Sequence, residues 1–311
     1  MIFEFFANRA DLFGFRLTNI DNCSNNQNIL NDELCKALLP VIKGILLSHC
    51  PKNSNLLPDH GKENPARTTF DNQLIELESV DSTNNYAMAR IHEGLASDGM
   101  VYLAHHQWAG KGQRGKKWVS EPGQNLMMSL IIEPSYLDLS QQFLFSSAIA
   151  LSVLEFVNGF EHKNWKIKWP NDIYWNDRKA GGLLVESIVT GQIWSWAIAG
   201  IGLNLNQASF PVEIPNAISL KQITGVHYEP VSVARALAPI IRRYISILQN
   251  NPNQILRSLN DSLYMKDRVI ALRKNDELLV TCLNSVDSNG LLITDAGHFK
   301  LGEVEWIINH R

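Results

Sequence analysis

Cysteine is scarce in this chain and badly placed for either of its structural uses. Cys23, Cys35, Cys50 and Cys282 form no C-x-x-C pair, and no histidine stands at metal-ligand spacing from them. That excludes a zinc ribbon and a disulfide framework, and it fits a reduced, cytoplasmic setting. An excess of one charge sign is missing too: 28 Lys plus Arg face 31 Asp plus Glu, a formal net charge of -3. The chain as a whole therefore has no attraction for nucleic acid, and any cationic site must be local. Long apolar runs are also lacking. "MIFEFF" is acidic and soon interrupted, unlike a signal peptide, and "ALLPVIKGILL" contains Pro40 and Lys43 and is too short to span a bilayer, so no membrane association is expected. No internal repeat is visible.

What is present is 311 residues with 45% hydrophobic content, enough for one large domain and a smaller one. Residues 1–70 stand apart as an extension of uncertain order. "TNIDNCSNNQN" is Asn-rich, "PKNSNLLPDHGKENPARTT" is full of turn residues, and between them Asn31 caps one helix kinked by Pro40. Over 71–264 the pattern becomes regular. "NQLIELESV" predicts a strand, "DSTNNYAMARIHEGL" a helix capped by Asp81 or Ser82, "MVYLAHHQ" and "NLMMSLIIEP" strands, and "LSQQFLFSSAIALSVLEFVNGF" a long buried helix. "WKIKW", "DIYW", "AGGLLVESIV" and "IWSWAIAGIGLNL" follow as closely spaced strands of a meander, with Trp194, Trp196 and Ile198 alternating against Ser195, Ala197 and Ala199. "SVARALAPIIRRYISILQN" returns to helix. Over 265–311, "RVIALR", "ELLVTCLNSV", "GLLITD" and "EVEWII" read as a small β-barrel. The fold class is α+β: a mixed, largely antiparallel sheet packed with helices, plus that C-terminal barrel.

The stretch "AGKGQRGKKW" matches G-x-G-x-x-G through Gly110, Gly112 and Gly115. A dinucleotide fingerprint needs those glycines to open a helix, but Pro122 and Gly123 follow too soon. A P-loop needs Ser or Thr where Lys117 stands. Both nucleotide motifs therefore fail. Three glycines still let the backbone approach a ligand, and Lys111, Arg114, Lys116 and Lys117 concentrate cations where phosphate could be neutralised. Composition supports a mobile, solvated basic turn equally well.

Two more segments carry chemistry. In "KWPNDIYWNDRKAGGLLVES", Lys168 and Lys179 are close enough in a strand and hairpin arrangement to reach one polyanion, Asp172 is a candidate ligand for a magnesium-nucleotide, and Lys179 could steady a transition-state phosphorus. The plainer reading pairs Lys179 with Asp177. In "DSTNNYA", Ser82, Thr83 and Asn84 need no role beyond a helix cap, and taken alone the cap explains them best. With Gln107 they could also recognise a compact polar ring.

Together and in this order, "DSTN", "AGKGQRGKKW", "KWPND" with "RKAGGLLVE", and "GIGLNLN" resemble the signature of biotin–protein ligases over about residues 72–311. The resemblance implies a class II synthetase-like catalytic domain with an SH3-like C-terminal domain. It also implies an ATP- and Mg2+-dependent ligase that makes biotinyl-5′-AMP and passes biotin to a lysine of a biotin carboxyl carrier protein. It assigns Ser82, Thr83, Asn84, Gln107, Lys111, Gly112, Gln113, Lys179 and Gly182 to biotin, and Gly110, Arg114, Gly115, Trp118, Asn171, Asp172 and Asn204 to the nucleotide. Lys179 and Arg114 are the implied catalytic pair, with Asp172 on the magnesium. The family's loop usually carries arginines where Lys111, Gln113 and Lys116 stand. Lysine loses the bidentate fork and Gln113 loses the charge, which bears on adenylate retention, although backbone contacts would preserve the chemistry. Glu303 could reach the nucleotide or acceptor side, but an exposed strand glutamate is the plainer reading.

Residues 1–70 contain seven Lys plus Arg, seven Asp plus Glu and one convincing helix, unlike a helix-turn-helix DNA reader. No nucleic-acid partner is expected. A biotin-responsive repressor with the same pocket, and a lipoate or octanoate transferase of the same superfamily, are the alternatives; a homodimer remains open.

Overall fold

The computed structural model describes residues 73–160 and 164–308. The N-terminal extension and its Asn31-capped helix lie outside the described residues.

Seven strands form one mixed sheet in the order β1-β2-β3-β7-β6-β5-β4: β1 (Leu74–Val80), β2 (Val101–Gln107), β3 (Asn125–Ile132), β4 (Trp165–Lys168), β5 (Asp172–Trp175), β6 (Arg178–Thr190) and β7 (Ile193–Asn204). Only β1 and β2 pair in parallel, joined by helix α1 (Thr83–His92) as the crossover that such a pair requires. The remaining pairings are antiparallel, so the expected meander is present.

The unbroken apolar run of β3 makes sense once both faces are seen to be covered. Leu126, Met128, Leu130 and Ile132 join the main core against α2 (Gln142–Asn158), α4 (Pro230–Asn250) and α5 (Pro252–Asp261). On the opposite face Ile131 packs with Tyr102, Ile198 and Ala87 of α1. The predicted alternation of Trp194, Trp196 and Ile198 fails at one point: Ile188 opposes Trp196 but Val189 opposes Trp194, so a bulge at Ser195 resets the period. Trp194 thus meets Phe145 in the main core while Trp196 packs on the other face.

The stretch Leu139–Asn158, comprising α2 and the 3-10 turn before it, is apolar and long enough to cross a membrane, but 61% of its most apolar window is buried inside the fold. Two helices escaped the sequence reading. In α3 (Leu220–Thr224) Ser219 and Gln222 form a capping box and Gly225 closes the end at φ 72; α5 starts on an Asn251 cap followed by Pro252.

The C-terminal segment carries five strands rather than four, in the order β11-β10-β9-β8-β12: β8 (Val269–Lys274), β9 (Glu277–Val286), β10 (Leu292–Thr294), β11 (Gly297–Phe299) and β12 (Glu305–Ile307). Among the described residues β11 and β12 do not pair, so the sheet is open where a closed barrel was expected. Trp169 Nε1 donates to Gly290 O at 3.0 Å and ties this sheet to the end of β4.

Candidate active site

On the α1 side of the large sheet, neighbouring strands align into rows of side chains. Gly182, Gly202 and Met127 form one row, and Leu184, Gly200 and Ser129 the next. The two β7 glycines create depth. A Cβ on Gly202 would lie 2.7 Å from the Trp118 ring, and one on Gly200 would overlap the Asn84 carboxamide. The resulting cavity measures about 600 Å3, within the range of small-molecule sites.

At one end sits the start of α1. Ser82 occupies the N-cap position, yet its side chain makes no capping bond, and Ser82, Thr83 and Asn84 are all buried. The cap alone therefore does not account for them. Gln107 Oε1 accepts from Thr83 N at 2.7 Å and lies 3.1 Å from Thr83 Oγ1. A backbone N–H can only donate, so this contact fixes the amide's orientation and leaves Gln107 Nε2 as its donor face. Ser129 Oγ lies 2.6 Å from Asn84 Oδ1 and 2.7 Å from Thr83 Oγ1; since Asn84 Oδ1 can only accept, the serine proton is committed there. Asn84 Nδ2 donates to Leu184 O at 3.2 Å and to Glu186 Oε2 at 2.7 Å.

The glycine stretch folds back on itself as a strap. Gly112 N donates to Lys116 O at 2.7 Å, Trp118 N donates to Gly110 O at 2.9 Å, and Lys111 bridges Lys117. A 3-10 turn at Gln113–Gly115 forms its tip, with Arg114 and Gly115 both at positive φ (55 and 77). No helix follows, as the sequence reading required.

At the cavity's other end, a bulge decides the chemistry. Ile173 opposes Gly181 but Tyr174 opposes Lys179, leaving Ala180 extra. In a regular strand residues 179 and 182 would face opposite ways; the extra residue puts both on the cavity side. Lys179 Nζ consequently reaches Asp172 Oδ1 at 2.6 Å, and the expected Asp177 pairing is replaced, because Asp177 accepts from Tyr264 Oη at 2.7 Å instead. Lys168 Nζ lies 4.9 Å from the centre of the Trp306 ring. Burial lowers its pKa from 10.5 to about 8, with Lys179 and Lys116 adding to the fall and Asp172 and Glu305 opposing it.

Six cations, Lys111, Arg114, Lys116, Lys117, Lys168 and Lys179, line the cavity against two carboxylates, Asp172 and Glu305. A chain of net charge -3 thus carries its cationic site locally.

Of the candidate residues, Ser82, Thr83, Asn84, Gln107, Lys111, Gly112, Gln113, Arg114, Trp118, Asn171, Asp172, Lys179 and Gly182 all line this cavity. Gly110, Gly115 and Asn204 are not among its walls. Asn204 is buried beneath, donating to Ile218 O at 3.1 Å and Lys179 O at 3.4 Å, where it steadies the lysine's backbone. Asn171 donates to Leu183 O. Glu303 lies in the turn before β12, not in a strand, and pairs with Lys274 at 2.5 Å. The sequence reading missed the contribution of residues 301–306, where Leu301, Gly302, Val304 and Trp306 complete the cationic end. Only the glycine at 302 hinted at it: a Cβ there would lie 2.8 Å from the Arg114 guanidinium carbon.

Residues 76–204 match the biotin/lipoate A/B protein ligase family. The bifunctional ligase/repressor BirA of Salmonella typhimurium is 38% identical over 227 residues, 70% of this chain and 68% of that protein. The biotin–[acetyl-CoA-carboxylase] ligase of Mycobacterium tuberculosis is 28% identical over 229 residues, 72% of this chain and 84% of that one. The Aquifex aeolicus biotin protein ligase, solved in complex with biotin and ATP, superposes with a TM-score of 0.64 at 26% identity, covering 76% of this chain and 99% of that one. Motif order, sheet topology and relatives all lead to one assignment, and the chain belongs to the biotin protein ligase family.

Proposed function

We propose that the protein is an ATP-dependent ligase that activates biotin as biotinyl-5′-AMP and transfers the biotinyl group to a lysine of a carboxyl carrier domain. The observation that carries this reading is one cavity with two chemically different ends, a polar pocket at Thr83 and Gln107 and a cationic end at Lys168 and Lys179, with the glycine strap between them.

In the first step a carboxylate oxygen attacks the α-phosphorus, the bond to the β-phosphate's bridging oxygen breaks, and pyrophosphate leaves. Ser82, Thr83 and Gln107 hold the ureido ring, and the backbone at Lys111, Gly112 and Gln113 faces the carboxylate. Lys179 spreads the charge growing on phosphorus, and Arg114 neutralises the departing phosphates. Trp118 and Asn171 line the adenosine side, with Gly110 and Gly115 giving the strap its folds and Gly182 leaving room beside Lys179. In the second step the acceptor amine attacks the acyl carbon, AMP leaves with the bonding electrons, and the amine sheds its proton. The strap excludes water from the mixed anhydride.

Asp172, one of whose oxygens pairs with Lys179, would offer a carboxylate to a magnesium ion carried by the nucleotide phosphates, an ion commonly held by one or two carboxylates plus phosphate. Among the described residues no trio of His, Cys, Asp or Glu forms a dedicated cage. The open C-terminal sheet is read as the family's small C-terminal domain, 265–311, appended to a catalytic domain at 71–264.

ATP-pyrophosphate exchange with biotin and with lipoate tests the substrate. Exchange with lipoate alone would overturn the biotin assignment. A repressor role is the second reading, because the Salmonella relative is named a ligase/repressor; sequence-specific, salt-sensitive DNA binding that responds to biotin would establish it.

A further inference from the structure

We propose that Glu186 is a positioning residue for the acid-activating step: through Lys111 and Asn84 its carboxylate latches the glycine strap to the ring pocket. The inference deepens the proposed function and rests on it.

Glu186 stands on β6 opposite Ile198, one row beyond Leu184 and Gly200 on the cavity face of the sheet. Its two carboxylate oxygens do different things. Oε1 lies 3.3 Å from Lys111 Nζ, at the base of the strap, and Oε2 accepts from Asn84 Nδ2 at 2.7 Å. Among the described residues this is the strap's one ion pair. Asn84 is itself committed on every side: its other amide hydrogen goes to Leu184 O, its oxygen receives the Ser129 proton, and its carboxamide fills the space that Gly200 leaves open. With no donor to spare for a ligand, Asn84 serves to orient the carboxylate and the first turn of α1.

An ordinary exposed pair holds a flexible loop poorly, because two long side chains must be ordered to make it. Here one partner is already ordered. Glu186 is only 27% exposed and is held by a buried amide, so Lys111 alone loses freedom when the strap closes. Ring binding against Thr83 and strap closure at Lys111 therefore meet on one carboxylate. A ligand that stiffens the first favours the second.

The test compares wild type, Glu186→Gln, Lys111→Gln and the double variant Lys111→Gln/Glu186→Gln. Each is assayed for adenylation, for acceptor biotinylation and for adenylate lost to hydrolysis, at low and high salt. Glutamine keeps an oxygen for Asn84 and turns an NH2 group, with neither charge nor acceptor, toward Lys111. The expected result is a biotin KM raised roughly two- to fivefold with kcat nearly unchanged, the size of a single ion pair. A larger share of adenylate should go to water. High salt should bring wild type toward the variant, and the double variant should be no worse than either single one, because both remove the same ion pair. Hydrogen exchange at the Gly112 and Trp118 amides gives a readout that needs no turnover, and both should exchange faster in Glu186→Gln. Wild-type behaviour of Glu186→Gln in KM, leakage and exchange would overturn the latch, as would single losses that simply add in the double variant. A wild-type protein that forms no adenylate from biotin and ATP would remove the proposed function and the latch together. Adenylation by wild type with an indifferent Glu186→Gln removes the latch alone.

Discussion

Replacing Lys168 with methionine should make the protein more stable and worse at binding nucleotide. The ammonium is held in a poorly hydrated position against Trp306, faced by Lys116 from the strap and by Lys179 and Asp172 from the β5–β6 hairpin, with Glu305 on β12. A pKa brought down from 10.5 to about 8 corresponds to roughly 3 kcal/mol of disfavoured charge. Because the folded-state value is the lower one, stability is highest above pH 10.5 and is lost as pH falls toward 8, below which the whole penalty applies. Methionine keeps the length of the chain without the charge. At pH 7 its variant should resist urea by up to about 3 kcal/mol more than wild type, and the gap should close above pH 10.5. Nucleotide affinity should fall roughly tenfold at pH 7, the size of one charge-assisted contact. In wild type the same affinity should weaken as pH rises through 8, where the free protein loses this cation. Urea midpoints at several pH values, paired with calorimetric titration of ATP, measure all three. A variant less stable than wild type at pH 7, or a stability gap independent of pH, would refute the reasoning.

Lys179→Ala should abolish biotin adenylation while leaving the unfolding midpoint close to wild type, because the side chain contributes charge to the cavity rather than packing to the core; near-normal pyrophosphate release would remove its assigned role. Gly202→Ala should displace Trp118 from the cavity floor, weakening nucleotide binding more than biotin binding, which separate titrations of the two ligands would resolve. Equal losses for both would mean that Trp118 does not sit on the nucleotide side. Amides of the 110–117 strap should gain hydrogen-exchange protection when biotin and ATP are added together, and unchanged exchange would contradict closure over the adenylate.

Much of the fold was legible because its elements obey local rules. The meander announced itself through short β-rich runs separated by Asn176-Asp177 and Thr190-Gly191, and α2 through an apolar stretch ending at Gly159. Two missed helices carried readable caps, Ser219 with Gln222 and Asn251 with Pro252; the first is a five-residue helix too short to repeat an apolar period, while the second spans ten residues with Ile255 and Leu259 one turn apart and could have been read. The β11 strand spans three residues and has no period at all. The bulges at Ala180 and Ser195 were the more consequential omissions, since a single extra residue reverses which side chains share a face. That is why Lys179 pairs with Asp172 and not with its near neighbour Asp177. At the site, the four motif segments hold most of the cavity walls. Ser82, Thr83 and Asn84 were ambiguous because a helix cap and a polar pocket use the same residue types. Glu186, although it closes the segment "RKAGGLLVE", and residues 301–306 were given no part in the site, because their role arises from long-range approach between strands, strap and C-terminal sheet.

Incubation with biotin, magnesium ATP and a purified biotin carboxyl carrier domain, followed by mass measurement of the intact carrier, tests the central claim most directly. The account predicts a gain of one biotinyl group on the carrier, dependent on ATP and absent with Lys179→Ala. A carrier of unchanged mass, from a folded protein supplied with all three components, would contradict it.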